Sequence, residues 1–225
     1  KNEEILLTVK DTTEIIRAIE ALPGLSGWVM RTRMVAMVNT AWANTGVIVY
    51  GIDPEKEKQV TEICKKILQG GGEYLDKRKP GYILISDKTA EILKLKQYII
   101  TADVINRLKA EGVPGIVLSQ LDTLKDARFR SPKDFKVALK AELTKKELDS
   151  YGLKIINYAL DYRIRNKIQI TISDGTGTPV QGTFRVCGIY KTTNGGFDQS
   201  SVFVNSRELA DLYDGRSVLT HEIAI

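Results

Sequence analysis

Lys167-Ile168-Gln169-Ile170-Thr171-Ile172-Ser173 is followed by Asp174-Gly175-Thr176-Gly177-Thr178-Pro179 and then by Val180 to Tyr190. Isoleucine at every second position is the period of a half-buried strand. The Asp-Gly-Thr-Gly stretch supplies the residues of a tight turn. The segment therefore predicts a β-hairpin with Ile168, Ile170 and Ile172 on one face. Downstream, Asn194-Gly195-Gly196 predicts a loop and Ser201 to Val204 a strand. Ser206-Arg207-Glu208-Leu209 opens a short helix that ends near Tyr213-Asp214-Gly215, and Leu219 to Ile225 is a closing strand. The back of the chain reads β-β-α-β.

The front mirrors that order. Ile5 to Val9 reads as a strand. Asp11-Thr12-Thr13-Glu14 starts a helix whose stripe is Ile15, Ile16, Ala18 and Ile19, and Leu22-Pro23-Gly24-Leu25 ends it. Trp28 to Val38 and Ala43 to Ile52 flank the turn signal Asn44-Thr45-Gly46 and form a hairpin. Asp53-Pro54-Glu55 marks a boundary, since proline suits a first helical turn and not a central strand. Glu55 to Leu68 is predicted as a helix broken by Gly70-Gly71-Gly72. Tyr82 to Ile85 is a strand, and Ser86-Asp87-Lys88-Thr89 caps a helix packed through Ala90, Ile92, Leu93 and Leu95.

From Tyr98 to about Arg165 the pattern is helical. Ala102 to Ala110 is one helix, stopped by Glu111 to Gly115, while Ile116 to Leu124 fits either type. Ser131-Pro132-Lys133-Asp134 opens a helix carrying Phe135, Leu139 and Leu143. Thr144-Lys145-Lys146-Glu147 has the form of a capping box, and Ile155, Ile156, Ala159 and Leu160 extend the helical reading. The expected fold is α+β. Split βαβ units from both chain ends, 1–52 and 182–225, share one mixed sheet, and 53–181 is an inserted α/β subdomain enlarged by helices over about 97–166.

Composition bounds the chemistry. The 225 residues are 43% apolar and 27% charged, with 33 basic and 28 acidic side chains, a net charge of +5. That excess neither demands nor excludes an anionic partner. One histidine, His221, and two cysteines, Cys64 and Cys187, exclude a multi-histidine metal site, a zinc module and a disulfide framework. Met34 to Ile52 is an uncharged stretch of near membrane-spanning length. Asn39, Thr40, Asn44 and Thr45 at its centre fit a hairpin better than a bilayer span. The start without Met and the end on Ile223-Ala224-Ile225 suggest a soluble piece of a larger protein.

The ordered strings carry a resemblance. Phe184-Arg185-Val186-Cys187-Gly188-Ile189 leads to Phe197-Asp198, then to Val202-Phe203-Val204 and a short helix. Gly51-Ile52-Asp53-Pro54 closes the front hairpin, and Tyr82-Ile83-Leu84-Ile85-Ser86 precedes Ala90 to Leu95. The set resembles the extracytoplasmic core domain of ABC transporter permeases of the lipoprotein-releasing (LolC/LolE) and macrolide-exporter (MacB) type. In that family the helix runs directly into the next strand. Here Gln97 to Asn166 intervene.

The resemblance implies a porter subdomain from both chain ends, with a Sabre-like insertion at 53–181. It implies a domain outside the cell (inner) membrane, between two transmembrane helices of a membrane-embedded parent. It would be non-catalytic and would relay ATP-driven movement to export or release of lipoprotein or another amphiphile. The partners it implies are an ABC ATPase subunit or domain, a paired permease chain, and a periplasmic carrier or adaptor protein. Gly51, Asp53, Pro54, Gly188, Phe197 and Asp198 are the family-motif positions, read as structural. The alternative is a cytosolic α/β enzyme or nucleic-acid-binding protein that shares only the secondary-structure pattern.

The residues themselves offer little else. His221 reads as a strand-edge side chain, since no G-x-S-x-G string supplies a nucleophile for it. Cys187, in a strand, reads as a small buried thiol. Cys64, followed by Lys65-Lys66, reads as packing rather than as an activated thiolate. Their separation in sequence does not decide whether the two cysteines pair. Gly70-Gly71-Gly72 and Gly175-x-Gly177 lack the remainder of a nucleotide-binding fingerprint. Lys133, Lys136, Lys140, Lys145 and Lys146, with Arg128 and Arg130, read as a solvated helical face diluted by Asp134, Glu142 and Glu147. That face leaves anionic headgroups or an acidic partner open, but not nucleic acid. No catalytic residue, cofactor or metal is expected.

Overall fold

A computed structural model describes residues 8–9, 12–213 and 218–225. In chain order the elements begin with α1 (Thr12–Glu20), β1 (Val29–Asn39), β2 (Asn44–Ile52), α2 (Pro54–Val60), β3 (Ile67–Gly72), β4 (Tyr82–Ser86) and α3 (Asp87–Ile92). Then come β5 (Lys96–Ile99), α4 (Ala102–Ala110), α5 (Gly115–Leu121), β6 (Arg128–Phe129), α6 (Pro132–Glu142), α7 (Lys145–Glu147), α8 (Leu153–Ala159) and β7 (Leu160–Tyr162). The last are β8 (Lys167–Ser173), β9 (Pro179–Tyr190), α9 (Gly195–Ser200), β10 (Ser201–Asn205), α10 (Ser206–Tyr213) and β11 (Glu222–Ala224). The chain divides into two compact units, Lys1–Leu93 with Ile164–Ile225, and Lys94–Arg163.

In the first unit the sheet closes on itself. β1 pairs β2, β2 pairs β10, β10 pairs β4, β4 pairs β9, β9 pairs β8, and β8 returns to β1. The β2–β10 and β4–β9 pairs are parallel and the rest of the ring is antiparallel, so the sheet is mixed. Closure follows from alternation. Met34, Ala36 and Val38 of β1 meet Val49 and Val47 of β2, Val202 and Val204 of β10, Ile85 and Ile83 of β4, and Ile168 and Ile170 of β8. All are nearly or fully buried. Registers such as Met34↔Val49, Val202↔Ile85 and Val38↔Ile170 put them on one inward face.

A bulge keeps β9 in step. The register passes from Ile83↔Val186 to Leu84↔Gly188, leaving Cys187 as the extra residue. Val186 and Ile189 therefore both face inward, while Tyr190 turns to the outer face. There Tyr190, Leu84, Phe203, Ile52, Ile63 and Leu75 build a second cluster, with Phe197 of α9 packed on it. α3 is capped by Ser86, whose hydroxyl accepts from Thr89 N at 3.0 Å, and α10 packs on β2 through Leu209.

The second unit surrounds one cluster of Leu108, Leu121, Phe135, Leu139 and Ile155, all fully buried. Its helices start where local chemistry says they should. Thr101 accepts from Val104 N at 3.3 Å and Ser131 from Lys133 N at 3.1 Å, and Thr144 with Glu147 completes a capping box.

Six expectations are corrected. The β1–β2 turn falls at Thr40–Ala43, where Thr40 N donates to Ala43 O at 2.9 Å and Thr40 Oγ1 accepts from Ala43 N at 3.2 Å, so Asn44-Thr45-Gly46 lie in β2 and not in the turn. Glu55 to Leu68 is not one helix: α2 ends at Val60, a 3-10 turn covers Ile63–Lys66, and Leu68 lies in β3. Gly70-Gly71-Gly72 is not a breaker but part of that strand, because pairing with β9 at Ile67↔Tyr190 and Gly72↔Gly188 overrides helix propensity. The stretch from Tyr98 to Arg165 is not all helical, since β6, β5 and β7 form a three-stranded sheet. A short apolar run such as Tyr98-Ile99-Ile100 has no period that tells strand from helix. Leu95 accordingly leaves the helix of Ala90, and Gly195-Gly196 begin α9 rather than a loop. Of the expected strand Ile5 to Val9, residues 5–7 lie outside the described residues, as do Asp11 and Asp214-Gly215. Val9 N donates to Thr220 O at 2.7 Å.

Candidate functional site

The motif positions fall at crowded points of the first unit. Gly51 faces inward on β2. A Cβ there would meet Leu209 Cδ2 at 3.0 Å and the Ser206 backbone at 3.1 Å, so glycine lets α10 approach the sheet. Asp53 caps α2, accepting from Glu55 N at 3.1 Å and from Lys77 Nζ at 2.6 Å, and Pro54 takes the first helical position. Burial pushes the Asp53 carboxyl up, but Lys77 and the helix amides outweigh it and hold the group below its usual range. A Cβ on Gly188 would overlap the Glu73 carbonyl oxygen, and one on Gly72, at φ +86°, the Cys187 carbonyl oxygen.

Phe197 and Asp198 divide their tasks. The Phe197 ring lies 6.1 to 6.4 Å from the rings of Phe203, Tyr190 and Tyr50. Asp198 is buried and accepts from Thr192 N at 3.0 Å and Thr192 Oγ1 at 2.7 Å. Its backbone carbonyl accepts from the Ser86 hydroxyl, tying α9 to α3.

A polar cluster that the motifs do not include lies beside the last strand. Arg31 of β1 donates to both oxygens of Glu57, from Nε at 3.0 Å and Nη2 at 2.7 Å, and from Nη1 to Glu222 at 2.5 Å. Glu57 is 1% exposed and also accepts from Thr61 Oγ1 at 2.9 Å. Burial lowers the Arg31 pKa, but the two carboxylates reverse this and raise it, so the guanidinium stays charged. One side chain thus ties β1, α2 and β11 together. The sequence signal was weak, since Arg31 is one of two arginines at the polar start of β1, and its partners are 26 and 191 residues away.

The remaining candidates are separate. His221 Nδ1 accepts from Arg33 N at 3.4 Å, beside the edge strand. Cys64 and Cys187 are both free thiols. Cys187 lines a cavity of about 190 Å³ with Tyr74, Tyr82 and Arg165. Burial pushes its thiol up to about 12, which leaves no thiolate for nucleophilic chemistry at neutral pH. Among the described residues there is no group of three or more His, Cys, Asp or Glu placed to hold a metal, and no helix long and apolar enough to cross a membrane. Val35 and Met37 on the outer face of the ring are exposed to 64% and 45%, and Trp42 in the β1–β2 turn to 39%.

No protein-family model matches the chain, and no curated protein matches it. Among solved structures, the extracellular domain of the noncanonic ABC-type transporter YknZ from Gram-positive bacteria aligns over 99% of this chain and 76% of its own, at 11% identity and a TM-score of 0.46.

Proposed function

We propose that the chain is the extracytoplasmic domain of an ABC transporter permease and performs no catalysis itself. The ordered motif set, from Gly51-Ile52-Asp53-Pro54 to Val202-Phe203-Val204, is what motivates the reading. The observation that carries it is that segments near both ends lie beside one another: Val9 N donates to Thr220 O at 2.7 Å, just before β11, and β11 pairs β1 through Val29↔Ala224, Met30↔Ile223 and Arg31↔Glu222. Early and late segments that lie together suit a domain looped out between two membrane segments. In this reading ATP is hydrolysed by a separate ATPase subunit or domain. Its motion reaches the domain through both ends, and a paired permease chain completes the transporter. The porter segments are 1–52 and 182–225, the inserted segment is 53–181, and the cargo is a lipoprotein or another amphiphile.

The test uses the full-length protein in intact cells. Cys64 and Cys187 are replaced by serine and a single cysteine is introduced at the exposed Lys146. A membrane-impermeant maleimide is expected to label it without lysis. Labelling that requires lysis sinks the proposal.

A further inference from the structure

Within the second unit, α6 and the helical run through α7 and α8 leave an open groove of about 610 Å³. Its floor and walls are Leu139, Leu143, Leu148, Leu153 and Ile156, with Gly152 between them where a π-helical turn over Leu148–Gly152 interrupts the run. Leu139 and Leu143 belong to the core, so the groove opens directly onto it. Leu153, at 75% exposure, stands at the lip. Its polar lining is confined to the charged groups of Lys136, Lys140, Lys145 and Asp149 and to backbone. None of the three lysines is in a salt bridge among the described residues.

We infer that this groove binds a free single-chain anionic amphiphile, with its aliphatic tail along the leucines and its acid group among the lysines. The lining side chains are aliphatic apart from the rim charges, so no ring stacks on a planar ligand and no amide or hydroxyl side chain orients a polar one. A flexible aliphatic chain needs neither. The volume lies within the ~300–1,000 Å³ of small-molecule sites. Three ammonium groups against one carboxylate select an anionic end, and long lysine stems can cover a tail while their charges stay in water. The inference does not rest on the transporter reading, since it uses only residues 136–156.

The test is an NMR titration of the 225-residue chain with monomeric tetradecanoate, with the alcohol of the same length as a neutral control. Saturable shifts at 136–156 are expected for the acid, with weaker binding of the alcohol. Lys136→Glu with Lys140→Glu, both on exposed side chains, should weaken the acid by about tenfold or more, equivalent to about 1.4 kcal/mol, and leave the alcohol unchanged. Leu153→Asp should weaken both, and its exposure keeps folding out of the result. The proposal is overturned by absence of saturation below the micellar concentration, by shifts that map elsewhere, or by charge reversal without effect on the acid. Binding of anionic vesicles alone, or of an acidic amphipathic peptide alone, overturns it as well.

Discussion

Strands distant in sequence close the ring of the first unit, whereas in the 94–163 unit the longest strand pairing, Lys96↔Tyr162, spans about half that distance in sequence and the helices start on local caps. Val38 pairs Ile170 and Ile48 pairs Ser201, contacts that must be assembled across more than a hundred residues. In the second unit α6 follows Ser131, α7 follows Thr144, and each start is fixed by a side chain within three residues of the amide it caps. The first arrangement depends on a few residues that join remote segments. The second depends on one dry cluster and on caps. This difference makes the ring the part where single polar contacts and single glycines decide most.

The largest expected effect tests that dependence on remote contacts. Arg31→Ala leaves the Glu57 carboxylate buried, with only Thr61 among its side-chain partners. Stranding a buried charge costs about 3–5 kcal/mol, so the urea midpoint should fall sharply. Arg31→Met combined with Glu57→Leu should recover most of that loss, because the burden is the unpaired charge rather than the missing bridge. A double variant as unstable as Arg31→Ala would show that packing of the arginine stem matters more than its charge.

Phe135→Ala is the counterpart in the second unit. The ring is fully buried and stacks on Tyr98 at 5.3 Å, with Phe129 also at 5.3 Å. Removal of a buried aromatic costs about 3–5 kcal/mol. Amide exchange should accelerate across α4 to α8, where this cluster is the shared core. Equal acceleration throughout β1, β2 and β8 would break the contrast between the two units.

How far the sequence could be read follows the same division. Ser131-Pro132 and Thr144 to Glu147 announced their helices because capping is a local act, and the β1–β2 hairpin is legible from alternation on both sides, although its turn falls at Thr40–Ala43 and not at Asn44-Thr45-Gly46. The alternation of Ile168, Ile170 and Ile172 predicted a strand, but no local rule says that β8 has β1 as its second neighbour and so closes a ring. β3 was hidden because its glycines look like a breaker until the β9 backbone is placed against them. Of the candidate site, the motif positions could be named, but not their partners. Arg31 lay unnoticed, since Glu57 and Glu222 meet it only in three dimensions. The lysines of the groove read as an ordinary solvated face, because the leucines between them reveal a groove only when the second helix is in place.

A smaller effect probes the bulge. Gly188→Ala puts a methyl group onto the Glu73 carbonyl, which is backbone and cannot rotate away. Overpacking of this kind costs about 1–3 kcal/mol. Gly46→Ala, in open space on the exposed face of β2, is the control and should change little. If both substitutions behave alike, the close approach of β9 to residue 73 is not a constraint on the ring.

The smallest expected effect is the pH response of Asp53. Lys77 and the α2 amides hold its folded pKa below the ordinary 3.8. A depressed carboxyl stabilises the fold above its unfolded pKa, and that stabilisation is lost as the pH falls through the folded value. Asp53→Asn keeps a side chain able to cap α2 but abolishes the titration and the Lys77 pair. Above pH 4 the wild type should exceed the variant by a few tenths of a kcal/mol to about 1 kcal/mol, the range of a surface pair, since Lys77 is largely exposed. The gap should close on acidification below that pH, measured as the difference between urea midpoints from pH 6 to pH 2.5. A gap independent of pH would assign the contribution of Asp53 to cap geometry, and the hold of α2 on the 73–79 loop would then be independent of charge.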